Sequence, residues 1–317
     1  MASMPQIKNS EKFKGQILHS NNYISKDDSL KSKRVVVVGN SYSGAEISSH
    51  LVGHAKSVTN IFSRPYLVFP RLLKIETDEK NVYNIYPNDL FYSRKLAFTT
   101  GTPDEERKAK IAIFSKLCPV QTDKKKSHPD MYYELNDDEP IREAVTDNYY
   151  SYVTNGKIKP KKGKISQFEA DGVRLVDGSF EKADTVLFCT GYKLCLDFFD
   201  ETVLKTLKFN NNYDRFPILL YKYTFHPDLE NLAMIGVTSG LFFAGFELQA
   251  KWAFKMFKGE KKLPPRHIVD AEIAKDELAR ESLLKNQYPH GYYNELIDIL
   301  ANEVIKILLF NKFNYYY

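Results

Sequence analysis

The 317 residues carry 45 basic and 40 acidic side chains, a net charge of +5, with 43% apolar and 27% charged residues. That balance fits a globular chain with enough apolar material for a sizeable core, and it excludes a disordered or collagen-like one; the charge is too small a bias to argue for nucleic acid. Three cysteines without C-x-x-C spacing exclude a disulfide framework, the first residues lack a signal-peptide core, and no segment approaches the ~20 apolar residues of a membrane span, so the expected location is cytoplasmic, with peripheral association with the endoplasmic reticulum left open.

Residues 1–31 are mostly polar and read as a linker. "VVVVG" at 35–39 is a continuous β-branched run, which predicts a strand buried on both faces. Ala45, Ile47 and Leu51 then recur at helical spacing, and "SVTNIFSRP" predicts a second strand ending before Pro65. Strand, glycine turn, helix and strand in so short a span make a βαβ unit. Residues 70–150 alternate charged, aromatic and Asn/Asp-rich stretches and read as a helical insertion over a regular core. From 156 to 188 short β runs return, separated by Asp-Gly turn signals, with "GKIKPKKGKIS" as a lysine-rich hairpin at a sheet edge and "DTVLFCTGY" as a further buried strand ending at a glycine. "LAMIGV" at 232–237 repeats that pattern. The segment after it has helical spacing, with Phe246, Ala250, Ala253 and Phe257 on one side and Gly259 as its stop. The tail "VIKILLFNKFNYYY" reads as an amphipathic helix packed on the body.

The glycine turn is where chemistry enters. Gly39-Asn40-Ser41-Tyr42-Ser43-Gly44 places glycine at the first and last positions of the dinucleotide-binding fingerprint and a small serine at the middle one. The first glycine lets the chain leave the strand tightly, the small middle residue lets backbone approach a pyrophosphate, and the last lets helix and strand pack closely. The helix start adds free N–H groups and the positive end of its dipole. An NAD site places an acidic residue about 20 residues on, for the ribose hydroxyls; Ser63-Arg64 stands there instead, and a guanidinium matches a 2′-phosphate. The expected cofactor is therefore NADPH.

The spacing Phe13-x-Gly15-x-x-x-His19-x-x-x-Tyr23 resembles the identifying pattern of the flavin-containing monooxygenases, of the soluble fungal type, and their Baeyer–Villiger relatives. The turn at 39–44, "FCTGY" at 188–192, and "LYKYTFHPDLENLAMIG" followed by Glu247-x-Gln249-Ala250-x-Trp252 are similar to further elements of that family, in its order. The resemblance implies an α/β fold: a Rossmann-like NADPH-binding domain over 32–192, with residues 1–31 a linker or remnant and 193–317 the C-terminal part of a FAD-binding domain of the two-dinucleotide-binding flavoprotein type. It implies that Gly39, Ser41, Tyr42, Ser43 and Gly44 cradle the pyrophosphate, that Asn40 sits near the reactive face of the flavin as a catalytic residue, and that Thr190, Gly191 and Tyr192 cross between cofactor domains. The implied cofactors are NADPH and FAD. The implied reaction is oxygenation of a soft nucleophile (thiol, sulfide or amine) by dioxygen through a flavin hydroperoxide, with no metal. No G-x-G occurs anywhere, so the N-terminal FAD-binding segment of the family is expected to be lacking. Two functions follow as alternatives: an NADPH- and FAD-dependent monooxygenase, or a truncated, catalytically inactive NADPH-binding remnant of one. A homo-oligomer or a complementing chain is left open as partner.

Overall fold

The computed structural model describes residues 1–25, 27–77, 79–80, 82–87, 103–135, 141–213, 216–237, 243–282 and 293–304. Backbone contacts divide the chain into two compact units, Met1–Tyr192 and Lys193–Tyr317.

The first unit is built on a five-stranded parallel sheet in the order β1 (Gln16–His19), β12 (Thr185–Phe188), β2 (Arg34–Val38), β3 (Ser57–Phe62) and β8 (Ile158–Lys162). The valine run forms its centre because both faces of β2 are covered. Side chains alternate across a strand. Val35 and Val37 therefore pack with Ala45, Ile47 and Leu51 of helix α1 (Tyr42–Leu51), while Val36 faces Phe168, Val173 and Phe188 on the other side. That second layer is an antiparallel sheet of β9 (Ile165–Glu169), β10 (Gly172–Leu175) and β11 (Phe180–Lys182). Its hairpins turn at the two Asp-Gly pairs read from the sequence, and Gly178 takes the positive φ of 84° that its turn requires. The insertion contributes β4 (Leu67–Phe69) paired with β7 (Glu143–Val145), a hairpin of β5 (Leu72–Glu76) and β6 (Tyr83–Pro87), and helices α2 (Pro103–Leu117) and α3 (Tyr149–Thr154). Parts of the insertion, 88–102 and 136–140, lie outside the described residues.

Two expectations for this unit change. Residues 1–31 are not a bare linker: β1 hydrogen-bonds along β12 as an outer strand of the sheet. The residues that carry the family resemblance there are partly packing residues. The Phe13 ring lies 5.3 Å from that of Phe168, and a Cβ on Gly15 would meet the Asp184 carbonyl oxygen at 2.3 Å. The lysine-rich stretch is not a hairpin: β8 pairs parallel with β3, and β9 pairs in the other sheet.

Among its described residues the regular elements of the second unit are helices: α4 (Glu201–Thr206), α5 (Phe243–Phe257), α6 (Arg266–Ser282) and α7 (Tyr293–Val304). "LAMIGV" forms no strand. Ala233 makes an isolated bridge to Phe225, and among the described residues no neighbouring strand of this unit offers it a ladder. Helix α5 buries Gly245, Gln249, Trp252 and Ala253; of the face read from its spacing Ala253 alone is buried, while Ala250 and Phe257 are exposed. Trp252 meets the rings of Tyr221 and Phe225 edge-on, and the Gln249 amide donates to the Tyr223 carbonyl and accepts from the Gly236 N–H. Phe254 and Phe257 are exposed. Helix α5 ends at Gly259 with φ 73°, as its stop signal indicated. The aromatic tail, 305–317, lies outside the described residues.

Candidate dinucleotide site

Four adjacent strands of the parallel sheet, β12, β2, β3 and β8, end on one edge. The glycine turn follows β2, Ser63-Arg64 follows β3, Lys162 closes β8, and Thr190-Gly191-Tyr192 follows β12. The residues singled out by the sequence are thus brought together along the carboxyl ends of adjacent strands, where open α/β sheets bind ligands.

The turn is shaped by close approach. Gly39 has φ 111°, and a Cβ there would meet the Cys189 carbonyl oxygen at 2.5 Å. A Cβ on Gly44 would stand 2.0 Å from the Gly39 carbonyl oxygen. Helix α1 begins at Tyr42 with Ser41 as its N-cap, yet the Ser41 hydroxyl makes no capping hydrogen bond. A capping serine would consume an N–H of the first turn; here that hydroxyl is left uncommitted at the mouth of the helix, beside the exposed Ser43 and the half-exposed Tyr42. Glu46, farther along the helix, is ion-paired by Arg71, which also binds Asp147 at 2.6 Å. Those two carboxylates hold the guanidinium above its usual range, Glu46 contributing more than Asp147.

Asn40, which the resemblance sets near the flavin, has its side chain turned into the interior. Its side chain is 2% exposed, with Nδ2 donating to the Tyr149 hydroxyl at 3.2 Å. Asn60 of β3 is fully buried beside it, a polar side chain in the interior of an apolar strand. That position was the one sequence signal for it, and sequence reasoning passed over it.

Arg64 borders a groove of about 420 Å³ whose lining includes Ser63, Tyr132, Arg142 and Lys162. Three cations face this space with Glu134 as the acidic side chain among its lining. Lys162 was read only as one of several edge lysines; its place beside Arg64 comes from the β3–β8 pairing, which no local pattern announces. On the other flank, Thr190 donates to the Ser3 carbonyl and Tyr192 bridges to Ala2. Tyr192 is half-exposed and its ring meets the buried His19 ring edge-on at 5.2 Å.

The cysteines near these elements are chemically quiet. Burial pushes the thiols of Cys118 and Cys189 up to about 12, so both stay protonated and poorly nucleophilic at neutral pH. Cys195 is partly exposed. The native protein is expected to react with a thiol-titrating disulfide at one cysteine, and at three after denaturation; a native count of two or three is the contrary result. No group of three His, Cys, Asp or Glu suited to a metal occurs among the described residues, and none of their helices is long and apolar enough to cross a membrane.

The arrangement of a parallel sheet, a glycine turn and an antiparallel outer layer is the fold of α/β flavoproteins of the two-dinucleotide-binding type. Solved structures share it at low identity. Cyclohexanone monooxygenase from Rhodococcus sp. Phi1, bound to NADP+, matches with TM-score 0.65 and 14% identity over 95% of this chain and 70% of that one. The Tmm protein of Pelagibacter sp. strain HTCC7211 matches with TM-score 0.54 and 19% identity over 95% of this chain and 48% of that one. The chain itself belongs to the flavin-binding monooxygenase-like family, whose profile matches residues 1–309. Rat dimethylaniline monooxygenase [N-oxide-forming] 4 is 30% identical over 98% of this chain and 53% of its own length, and human flavin-containing monooxygenase 5 is 29% identical over 95% and 52%. The chain spans about half the length of the curated relatives it matches.

Proposed function

We propose that the chain serves an NADPH-dependent flavin monooxygenase acting on soft nucleophiles such as thiols, sulfides and amines, with the first unit as its NADPH-binding domain and the second as the C-terminal part of its FAD-binding domain. The observation that carries this reading is the turn at the end of β2. Its helix start faces outward with the Ser41 hydroxyl unused, on the same sheet edge as the cationic groove around Arg64. Gly39, Ser41, Tyr42, Ser43 and Gly44 would hold the diphosphate, Ser63 and Arg64 the 2′-phosphate, and Thr190, Gly191 and Tyr192 would flank the nicotinamide half. FAD, when bound, supplies the oxygen-transfer chemistry. The described residues hold one strand–glycine–helix unit, and it suits the nicotinamide dinucleotide, so no residue is assigned to the FAD diphosphate.

A second reading, an NADPH-binding chain without oxygenase activity, is favoured by the state of the second unit. "LAMIGV" has no ladder among the described residues, and Phe243, Phe254 and Phe257 are exposed along α5. One experiment separates the two. Purified protein with a visible flavin spectrum, whose NADPH oxidation accelerates when a small thiol is added, supports the monooxygenase. Colourless protein that still binds NADP+ by calorimetry supports the second reading. Folded protein that gives no heat with NADP+ removes both.

A further inference from the structure

We propose that Asn60 and Tyr149 are positioning residues of the dinucleotide turn: a buried relay from Asn40 through Tyr149 to Asn60 pins the Gly39 carbonyl inward so that the N–H of the following peptide faces the bound diphosphate. This rests on the reading that the turn binds a dinucleotide, and it adds the device that holds the turn in its binding geometry.

The relay has a single consistent direction. The Asn60 amide nitrogen donates to two main-chain carbonyls, Gly39 at 2.7 Å and Val37 at 3.0 Å. Its amide oxygen therefore faces away from them and accepts from the Tyr149 hydroxyl at 2.6 Å. Tyr149 in turn accepts from Asn40 Nδ2. Burial pushes the Tyr149 phenol up from its ordinary value, so the hydroxyl remains a donor throughout the working pH range. The sulfur of Met131 closes the pocket, 3.6 Å from Asn40 Nδ2. Asn60 lies on the helix-facing side of β3, the same face as Val58 and Phe62. It thus reaches the base of the turn from below, while α3 presents Tyr149 from the side.

The consequence lies in the peptide between Gly39 and Asn40. In a trans peptide the C=O and N–H point in opposite directions. A carbonyl drawn toward Asn60 turns the Asn40 N–H away from the core, and that N–H finds no main-chain acceptor among the described residues. A buried polar chain of this kind is costly unless completed. Here Gly39 O, Asn60 and Tyr149 are all satisfied, and only Asn40 Oδ1 is left without a donor, at the end of the relay nearest the turn. Without the relay the glycine peptide is free to flip, since Gly39 is the residue best able to tolerate it.

The test uses the full chain and two ligands that separate the diphosphate from the rest of the cofactor. NADP+ carries both the 2′-phosphate and the diphosphate; adenosine 2′-monophosphate carries only the former. Tyr149→Phe removes one oxygen and keeps the ring that fills the core. With native far-UV circular dichroism, it is expected to raise the Kd for NADP+ about tenfold, the scale of one weakened hydrogen bond to a charged group, and to leave that for adenosine 2′-monophosphate unchanged. Asn40→Ala, at the relay's outer end, is the second variant and should show the same split at about threefold, on the scale of a neutral hydrogen bond. An NADP+ Kd within twofold of wild type in whichever variant is folded, or an equal loss for both ligands, overturns the relay. Folded wild-type protein that binds neither ligand overturns the dinucleotide reading beneath it.

Discussion

Gly44→Ala is expected to lower the melting temperature of the chain by roughly 10 °C and to abolish calorimetric binding of NADP+. The added Cβ would stand 2.0 Å from the Gly39 carbonyl oxygen and 2.6 Å from its carbon. Both are backbone atoms, and Gly39 is itself fixed, since it lies against the Cys189 carbonyl. The clash can be relieved only by lifting the start of α1 off β2, which separates Ala45 and Ile47 from Val35 and Val37 in the core they share. Overpacking at such a site costs about 3 kcal/mol, and a domain of this size loses about 2–4 °C per kcal/mol. Gly53 is the matched control. It has φ 84° with nothing within 4 Å of an added Cβ, so Gly53→Ala should cost only the left-handed strain of about 1–2 kcal/mol and leave cofactor binding intact. Equal melting temperatures for the two variants, measured by scanning calorimetry, would contradict the packing role given to Gly44.

What the sequence disclosed and what it concealed divide along the range of the interactions. The β2–turn–α1–β3 unit was legible because every part of it is local: four valines, a glycine with nothing to spare around it, and a helix whose apolar spacing continues directly. The two Asp-Gly hairpins were legible for the same reason. The strand β1 was not, because "QILH" is four residues long and becomes a strand only through the β12 ladder formed with residues far along the chain. The placing of β8 beside β3 was hidden likewise, since "IKPKK" has no apolar run and takes its parallel pairing from position in the sheet. Helix α5 misled in another way. Phenylalanine, alanine, leucine and tryptophan lie on nearly all its sides, so periodicity alone could not choose between the face of Trp252 and Gln249, which is buried, and that of Phe254 and Phe257, which is exposed. Among the candidate site residues the turn and Arg64 were readable from motif and spacing. Asn60 and Tyr149 were not, since they lie 89 positions apart and only the fold makes them one hydrogen-bonded pair.

The largest effect on ligand choice is expected from Arg64→Ala, which should weaken NADPH binding roughly 30- to 100-fold while leaving NADH within a factor of about two, as loss of charge-assisted hydrogen bonds worth about 2–3 kcal/mol requires. The two nucleotides differ only in the 2′-phosphate, so a residue that meets this group alone must separate them. Geometry places Arg64 where it can: directly after β3, at the wall of a groove that Arg142 and Lys162 also line. A guanidinium offers a phosphate two parallel N–H donors, whereas an ammonium offers a point charge. Arg64→Lys should therefore recover only part of the loss, and Lys162→Ala should cost less than Arg64→Ala. Because the groove is open to solvent, the preference for NADPH should also shrink as salt is raised, and most steeply in the wild type, which has the most charge to screen. The decisive measurement is the ratio of the two dissociation constants in each variant at one ionic strength. An Arg64→Ala protein that loses NADPH and NADH equally would show the arginine supporting the fold or the diphosphate instead, and one that loses neither would move selectivity to the other cations of the groove.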